Sequence, residues 1–280
     1  MPVTLALVLM AGIGCAAVPD AAMPGTGSTA TPPAGATAAP QNTGAPDMML
    51  QPPAPRDADP ATFPRTSDGK PDLTGIWFAG AKSFLGWNVA NIKIPQTPAY
   101  AAKRRQWETS AAAGKPYADS GSLCIADGVP RLMGTGNIEF IITPGRQVTI
   151  IGGMHEVRRV YLDGRPQPKD LESWQLNYDG HSVGHWEGDT LVIDTVGLRA
   201  NAIDPDGVWL SDKAHLIERI TMHNPDGLTN EITMMDPLAL TRPWTVKQYY
   251  VRLPKSTEME NDFCVNNRNG VDANGFMTAQ

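Results

Sequence analysis

The sequence predicts a mainly β protein, in which an antiparallel meander of strands closes into a barrel and one or two short helices lie beside it. The 280 residues include 27 glycines and 25 prolines, a composition that implies many turns. Hydrophobic residues make up 41% of the chain, with seven tryptophans, enough to fill a substantial core. Hairpin-type turn sequences recur between short apolar segments without alternating helices, which favours a meander over a parallel sheet.

Residues 1 to 15 are predicted to be an export signal. Residues 3 to 13 form an apolar run with the length of a signal-peptide core, too short to span a bilayer permanently. Gly14-Cys15 follows as in a bacterial lipoprotein processing site, so Cys15 is the predicted lipidated residue, with plain secretion as the alternative. We expect a periplasmic or outer-membrane-anchored protein that contacts a membrane only through its lipid.

Residues 16 to 62 are predicted to be a disordered tether. They consist mainly of Ala, Pro, Gly, Thr and Ser, and such a segment cannot bury enough apolar surface to offset its ordering entropy. A single β-rich domain is predicted over residues 63 to 280, and its first strand follows the polar turn that ends at Asp72.

The remaining elements follow from local composition and turn signals. Residues 98 to 109 combine alanines with straight-chain side chains and are the best helix candidate. Runs rich in β-branched residues, separated by turn formers, predict seven later strands. These are residues 138–143, 147–152, 155–162, 190–196, 214–223, 230–235 and 246–253.

Two cysteines remain once Cys15 is assigned to the lipid, namely Cys124 and Cys264. In an exported protein an even pair predicts a disulfide. A loop of this length would stabilise the fold by about 4 kcal/mol in the chain-entropy model. The alternative is a thiol nucleophile or metal ligand, which requires a reducing compartment or further ligands at suitable spacing.

Four segments resemble a large family of exported bacterial proteins. They are residues 67–77 (SDGKPDLTGIW), 154–165 (MHEVRRVYLDGR) and 180–195 (GHSVGHWEGDTLVIDT), and Asp236-Pro237 followed by residues 241–245 (TRPWT). The resemblance extends in order over nearly all of residues 65 to 270. It implies export and implies no particular reaction. The turn from Trp186 to Leu191 also looks like the hairpins of lipocalin-like (calycin-like) barrels, which is an analogy of fold alone.

The predicted strand 155–162 carries charged side chains on both faces. Alternation places His155, Arg159 and Tyr161 on one face and Glu156 and Arg158 on the other. The first set offers an acid-base group, a fixed cation and a phenol, which suit proton abstraction, stabilisation of negative charge and proton return. For Glu156 and Arg158 two interpretations are equally supported. They either line a polar cavity or form a cross-strand charged pair at the surface.

Further candidate residues lie on and between the later strands. Glu218 falls on the more apolar face of its strand, so it is either an acid-base carboxyl of raised pKa or the partner of an arginine such as Arg158 or Arg159. His181, on a predicted loop, is either an acid-base group or a cap of the turn. His215 and Trp186 complete the set as substrate-binding candidates.

Several other kinds of site are not expected. His181 and His185 lie on a glycine-rich segment that would not converge two imidazoles, and no compact ligand motif is present, so we predict no metal and no cofactor. Ser182 matches Gly-x-Ser-x-Gly but lacks the strand-to-helix context of a nucleophile elbow. The net charge of -6 is spread along the chain and basic clusters are short, which argues against a nucleic-acid partner.

The sequence therefore predicts an extracytoplasmic, cofactor-independent acid-base enzyme, a lyase, isomerase or hydrolase acting on a small organic substrate. An internal or mouth cavity is expected to hold its groups. The catalytic candidates are His155, Tyr161, His181 and Glu218, and the substrate-binding candidates are Arg159, His215 and Trp186. The alternative is a lipocalin-like small-molecule carrier, a lipoprotein that uses the same cluster only to orient its ligand.

Overall fold

The computed structural model describes residues 54–79, 93–115, 125–134, 136–152, 156–171, 175–202, 208–259, 269–271 and 277–279. Within these ranges the chain is mainly β, as predicted, with one α-helix and a closed barrel of nine strands. The strands are β1 (Gly75–Phe78), β2 (Asn137–Thr143), β3 (Gln147–Ile151), β4 (Val157–Tyr161), β5 (His181–Glu187), β6 (Thr190–Val196), β7 (Asn201–Ala202), β8 (Trp209–Leu210), β9 (His215–Asn224), β10 (Gly227–Met235), β11 (Trp244–Arg252), β12 (Asn269–Val271) and β13 (Met277–Ala279). The helix is α1 (Pro98–Ala112), and short 3-10 helices span Pro60–Thr62 and Arg131–Gly134.

The barrel contains one parallel strand pair. Its strand order is β1-β11-β10-β9-β6-β5-β4-β3-β2, closed by the pairing of β1 with β2. An odd number of strands in a closed ring cannot alternate in direction throughout, and here β4 and β5 are the parallel neighbours. All the other barrel pairs are antiparallel. Parallel neighbours need a long connection. Residues 162 to 180 provide it, and we call them the crossover.

The segment that the sequence assigned to a loop forms the strand β5 (His181–Glu187). The prediction of a loop was wrong because its glycines were taken as signs of irregular backbone. Gly184 is instead a point of close packing, since an added Cβ would lie 2.9 Å from Val160 Cγ1 and 3.0 Å from Leu162 Cδ2. The absence of a side chain lets β4 and β5 approach each other here.

Side chains fill the interior of the described barrel strands. Trp77, Phe140, Leu216 and Tyr250 are each at most 2% exposed, and they belong to one continuous apolar core. The Trp77 indole N–H donates to the Leu73 carbonyl and the Tyr250 hydroxyl donates to the Met133 carbonyl, so these large side chains bury no free donor. The interior enclosed by the described strands is therefore filled by large side chains.

The residues before the first strand lie against the end of β9. Ala58 N donates to the His223 carbonyl at 2.7 Å, and Asn224 Nδ2 donates to the Arg56 carbonyl at 2.8 Å. His223 Nδ1 lies 2.6 Å from Asp57 Oδ1. Residues 54 to 62, which the sequence assigned to the tether, therefore make specific contacts with the barrel domain. The predicted lipidation at Cys15 and the predicted disulfide between Cys124 and Cys264 lie outside the described residues.

Gly180, at the end of the crossover, gives a testable prediction about the fold. Its φ is +64°, and an added Cβ would lie 2.6 Å from the Val196 carbonyl oxygen. Gly180→Ala should therefore lower the free energy of unfolding by about 2 kcal/mol or more, through left-handed strain and this clash. Gly188→Ala is the matched control, because Gly188 has φ +60° with nothing within 4 Å and should lose only about 1 kcal/mol. Equal losses in urea denaturation would contradict the close approach.

Candidate functional site

Polar side chains from three neighbouring strands meet on the outer wall of the barrel. On β5, β6 and β9 the side chains of Ser182, Thr195 and Leu216 are buried in the interior. Because side chains alternate along a strand, the adjacent His181, Asp194 and His215 point outward. Together with Tyr161 and Gln167 they form what we call the outer cluster.

A chain of close contacts joins the members of the outer cluster. His181 Nδ1 lies 2.9 Å from Gln167 Oε1, and Gln167 Nε2 donates to the carbonyl oxygen of Asp194 at 2.8 Å and to its Oδ1 at 2.7 Å. Asp194 Oδ1 lies 3.1 Å from His215 Nε2. The Tyr161 ring stacks on the His181 imidazole with 5.6 Å between the ring centres. The two imidazoles are thus linked through one amide and one carboxylate.

A cleft of about 500 Å³ lies beside the outer cluster. His215 belongs to both, and the crossover contributes Leu171 and Leu176 to the cleft wall. The remaining lining residues are Val196, Asp212, Lys213 and Ala214. The lining therefore combines apolar and charged side chains, as is typical of small-molecule sites.

The surroundings of the two histidines move their pKa values in opposite directions. The close contact with the Asp194 carboxylate raises the pKa of His215, against the opposing effect of burial. Burial, and then the positive charge of Arg165, lower the pKa of His181. Arg165 lies over the neighbouring Tyr161 ring at 3.7 Å. These shifts favour the neutral form of His181 and the protonated form of His215.

Asp194 remains a carboxylate between the two imidazoles. Burial raises its pKa, but the close contact with the His215 imidazole and the hydrogen bond from Gln167 outweigh burial, so the pKa of Asp194 lies below its usual value. A carboxylate that holds an imidazole in one orientation is the usual partner of an acid-base histidine. The arrangement can accept a proton at His181 and donate one from His215.

The structure brings three predicted site residues together and separates others from them. Tyr161, His181 and His215 meet in the outer cluster, on the outer wall rather than in the internal or mouth cavity that the sequence suggested. Glu218 lies inside the barrel at 0% exposure. Arg159 is exposed on β4, and no described contact joins it to the outer cluster. The expectation of one shared chamber is therefore wrong.

Two other predicted residues have different outcomes. Trp186 is half-buried and packs against the apolar core rather than lining the cleft. His155 lies outside the described residues. Sequence reasoning missed Gln167 and Asp194. Asp194 had a signal, a single acidic residue within the apolar run Leu191 to Val196, whereas Gln167 lies in the crossover where no periodicity marks it.

A buried ion pair occupies the interior. Arg158 is 1% exposed and its guanidinium contacts the Glu218 carboxylate directly. Arg158 Nη2 also donates to Thr195 Oγ1 at 2.9 Å and to Ser182 Oγ at 3.1 Å, while Asn230 Nδ2 donates to Glu218 Oε1 at 2.9 Å. The interpretation of Glu218 as the partner of an arginine in the barrel is thus confirmed. The interpretation of Arg158 and Glu156 as a surface pair is wrong, since both are buried.

Glu156 is a second buried carboxyl, 6% exposed. Its two oxygens accept the backbone N–H groups of Asp127 at 2.8 Å and of Gly128 at 2.6 Å. Burial, and then the neighbouring charge of Asp179, raise the pKa of Glu156 to about 8. The group therefore carries a proton at neutral pH in the folded protein, although it would be ionised in the unfolded chain.

This raised pKa predicts a pH dependence of stability. Between the ordinary pKa of 4.5 and the folded value of about 8 the folded state binds the extra proton. The free energy of unfolding should therefore fall as pH rises through this window, by about 2 to 4 kcal/mol. Glu156→Gln should remove this slope, with a separate pH-independent loss because its amide cannot accept both backbone N–H groups.

Urea denaturation at about pH 5 and about pH 8.5 measures the slope. Glu139→Gln, on the outer face of β2, is the matched control and should keep the wild-type slope. An unchanged slope in Glu156→Gln would show that another group causes the pH dependence.

Comparisons with family models, curated proteins and solved structures found nothing that matches this chain. Among the described helices none has the length and apolarity needed to cross a membrane. No group of three or more described His, Cys, Asp and Glu residues is placed to hold a metal ion. The candidate site therefore rests on the geometry of the structure. Two linked histidines lie on the outer wall of a closed nine-stranded barrel.

Proposed function

We propose that this protein is an exported, cofactor-independent acid-base enzyme, a lyase, isomerase or hydrolase acting on a small organic molecule. The observation that carries the proposal is the contact chain that links His181 through Gln167 and Asp194 to His215, which lines the cleft. The pKa values of the two linked histidines are shifted in opposite directions. Two titratable groups whose surroundings push their pKa values apart are the usual basis for assigning a base and an acid.

Four members of the outer cluster have a role in this reaction. His181 is the base, because burial keeps it neutral at neutral pH. His215 is the acid, and Asp194 orients it and favours its protonated form. Tyr161 packs on the base and holds its ring plane. The proton leaves the substrate for His181, the electron pair stays on the substrate, and His215 returns a proton.

The cleft supports a small substrate with an apolar part. A volume of about 500 Å³ lies within the range of small-molecule sites. Leu171, Leu176 and Val196 provide the apolar contacts, while Lys213 and the protonated His215 favour a negatively charged or carbonyl-bearing group. The alternative function, a lipocalin-like carrier, is supported by this same mixed lining, but it would use the outer cleft because the interior is packed.

The pH profile of turnover tests the acid-base assignment. The rate should rise as His181 loses its proton, at a pH below the ordinary histidine pKa of 6.5. It should fall as His215 loses its proton, at a pH above that value. A panel of sugar-derived and aromatic compounds in D₂O, followed by NMR for product and for exchange of carbon-bound hydrogen, provides the measurement. A profile that is flat across both values would argue for the carrier.

A further inference from the structure

We infer that Gln167 is a positioning residue that fixes His181 as the tautomer with its proton on Nδ1, which places the lone pair of the base on Nε2. The catalytic meaning of this inference rests on the proposed function. The tautomer itself is set by the contacts of Gln167 and can be measured without any substrate.

The orientation of the Gln167 amide follows from its partners. One end of the amide faces two acceptors of Asp194, its carbonyl oxygen at 2.8 Å and its Oδ1 at 2.7 Å. Neither atom can donate, because a backbone carbonyl carries no proton and the side chain is a carboxylate whose pKa lies below the usual value. The amide nitrogen must therefore face Asp194, since the opposite orientation would bring three oxygens together.

The tautomer of His181 follows from the orientation of Gln167. With its nitrogen facing Asp194, the amide presents Oε1 to His181 Nδ1 at 2.9 Å. Oε1 is only an acceptor, so Nδ1 must carry the proton. In a neutral imidazole the lone pair then lies on Nε2. When Nε2 accepts a proton, the Nδ1–H bond to Gln167 stays in place, so the base needs no rearrangement during turnover.

The same amide links the base to the acid. Asp194 Oδ1 accepts from Gln167 Nε2 and lies 3.1 Å from His215 Nε2. Gln167 therefore also fixes the carboxylate that orients His215. The crossover, which contributes Leu171 and Leu176 to the cleft wall, in this way also contacts the base and the carboxylate beside the acid.

Nitrogen NMR of the full chain labelled with ¹⁵N-histidine tests the tautomer. His181→Ala assigns the signals, and the pH is set above the titration of His181. Wild-type His181 should show a pyrrole-type Nδ1 and a pyridine-type Nε2. Gln167→Ala should shift both signals towards each other or exchange them, whereas Gln106→Ala, on the exposed face of α1, should leave them unchanged. A proton on Nε2 in the wild type would overturn the inference. So would His181 signals in Gln167→Ala that are the same as those of the wild type.

A second variant separates positioning from a merely structural role. Gln167→Glu keeps an acceptor for His181 Nδ1 but places a negative charge beside it, so the pKa of His181 should rise. The acidic limb of the pH profile should move to higher pH, and kcat should fall roughly 10- to 100-fold as the Asp194 contact is lost. An unmoved His181 titration by NMR would overturn the positioning role. One pair of results would overturn the proposed function and leave the tautomer inference standing. These are the Nδ1–H tautomer in the wild type together with unchanged turnover in His181→Ala.

Discussion

Replacement of His215 by alanine is expected to lower turnover by about 10²- to 10⁴-fold, the usual contribution of a positioned acid-base group. The side chain is 39% exposed, so its loss should leave the barrel folded. The descending alkaline limb of the pH profile should disappear together with the rate, because that limb reports the proton on His215. Ligand affinity should change far less than turnover.

Matched variants show whether the effect belongs to the outer cluster. Asp194→Asn keeps the shape of the side chain but removes the charge that raises the pKa of His215, so the alkaline limb should move to lower pH. His181→Ala should lose turnover to a similar extent. His185→Ala is the control, because that histidine is 63% exposed on the same strand and contacts Glu187 instead. Unchanged turnover in both His181→Ala and His215→Ala would exclude the acid-base proposal.

Replacement of Glu218 by alanine should have the largest effect on stability. It would leave the guanidinium of Arg158, 1% exposed, without its opposite charge. Breaking a buried ion pair in this way costs about 3 to 5 kcal/mol. A domain of ordinary stability has about 5 to 15 kcal/mol in total, so the variant should unfold at much lower urea concentration or fail to fold.

A double variant distinguishes the loss of the pair from the loss of packing. Arg158→Met with Glu218→Leu removes both charges and should recover most of the stability that Glu218→Ala loses, because no unpaired charge remains. Arg219→Met with Glu187→Leu removes an exposed pair on the outer wall and should change the free energy of unfolding by less than about 1 kcal/mol. A double interior variant as unstable as Glu218→Ala would show that the polar network itself is needed.

The strands were predictable where one face is apolar. The strand predicted at residues 190 to 196 is β6 (Thr190–Val196), and the one at 147 to 152 is β3 (Gln147–Ile151) within one residue. Alternation also grouped Glu156 with Arg158 and Arg159 with Tyr161 correctly. Which of the two groups faces inward was not predictable. The charge of Arg158 is tolerated in the barrel interior only because Glu218, on β9, pairs with it.

The site depended on information that local sequence does not contain. Gln167 meets His181 and Asp194 only because the crossover folds back over the outer wall. β5 was not recognised because Gly184 resembles a loop glycine, whereas it serves close packing within the strand. Long-range contacts of this kind follow from strand order, and strand order cannot be predicted from any single segment of the sequence.

The odd number of strands has a consequence for how this protein can change over evolution. Ring closure with an odd number of strands requires one long connection, which here is the crossover. Hairpin geometry does not constrain the length of this segment. Exchanges at Leu171 and Leu176 can reshape the cleft wall without disturbing the interior ion pair, which lies on β4 and β9. The shape of the cleft and the stability of the interior are thus encoded in separate parts of the polypeptide, and one can diversify while the other stays fixed.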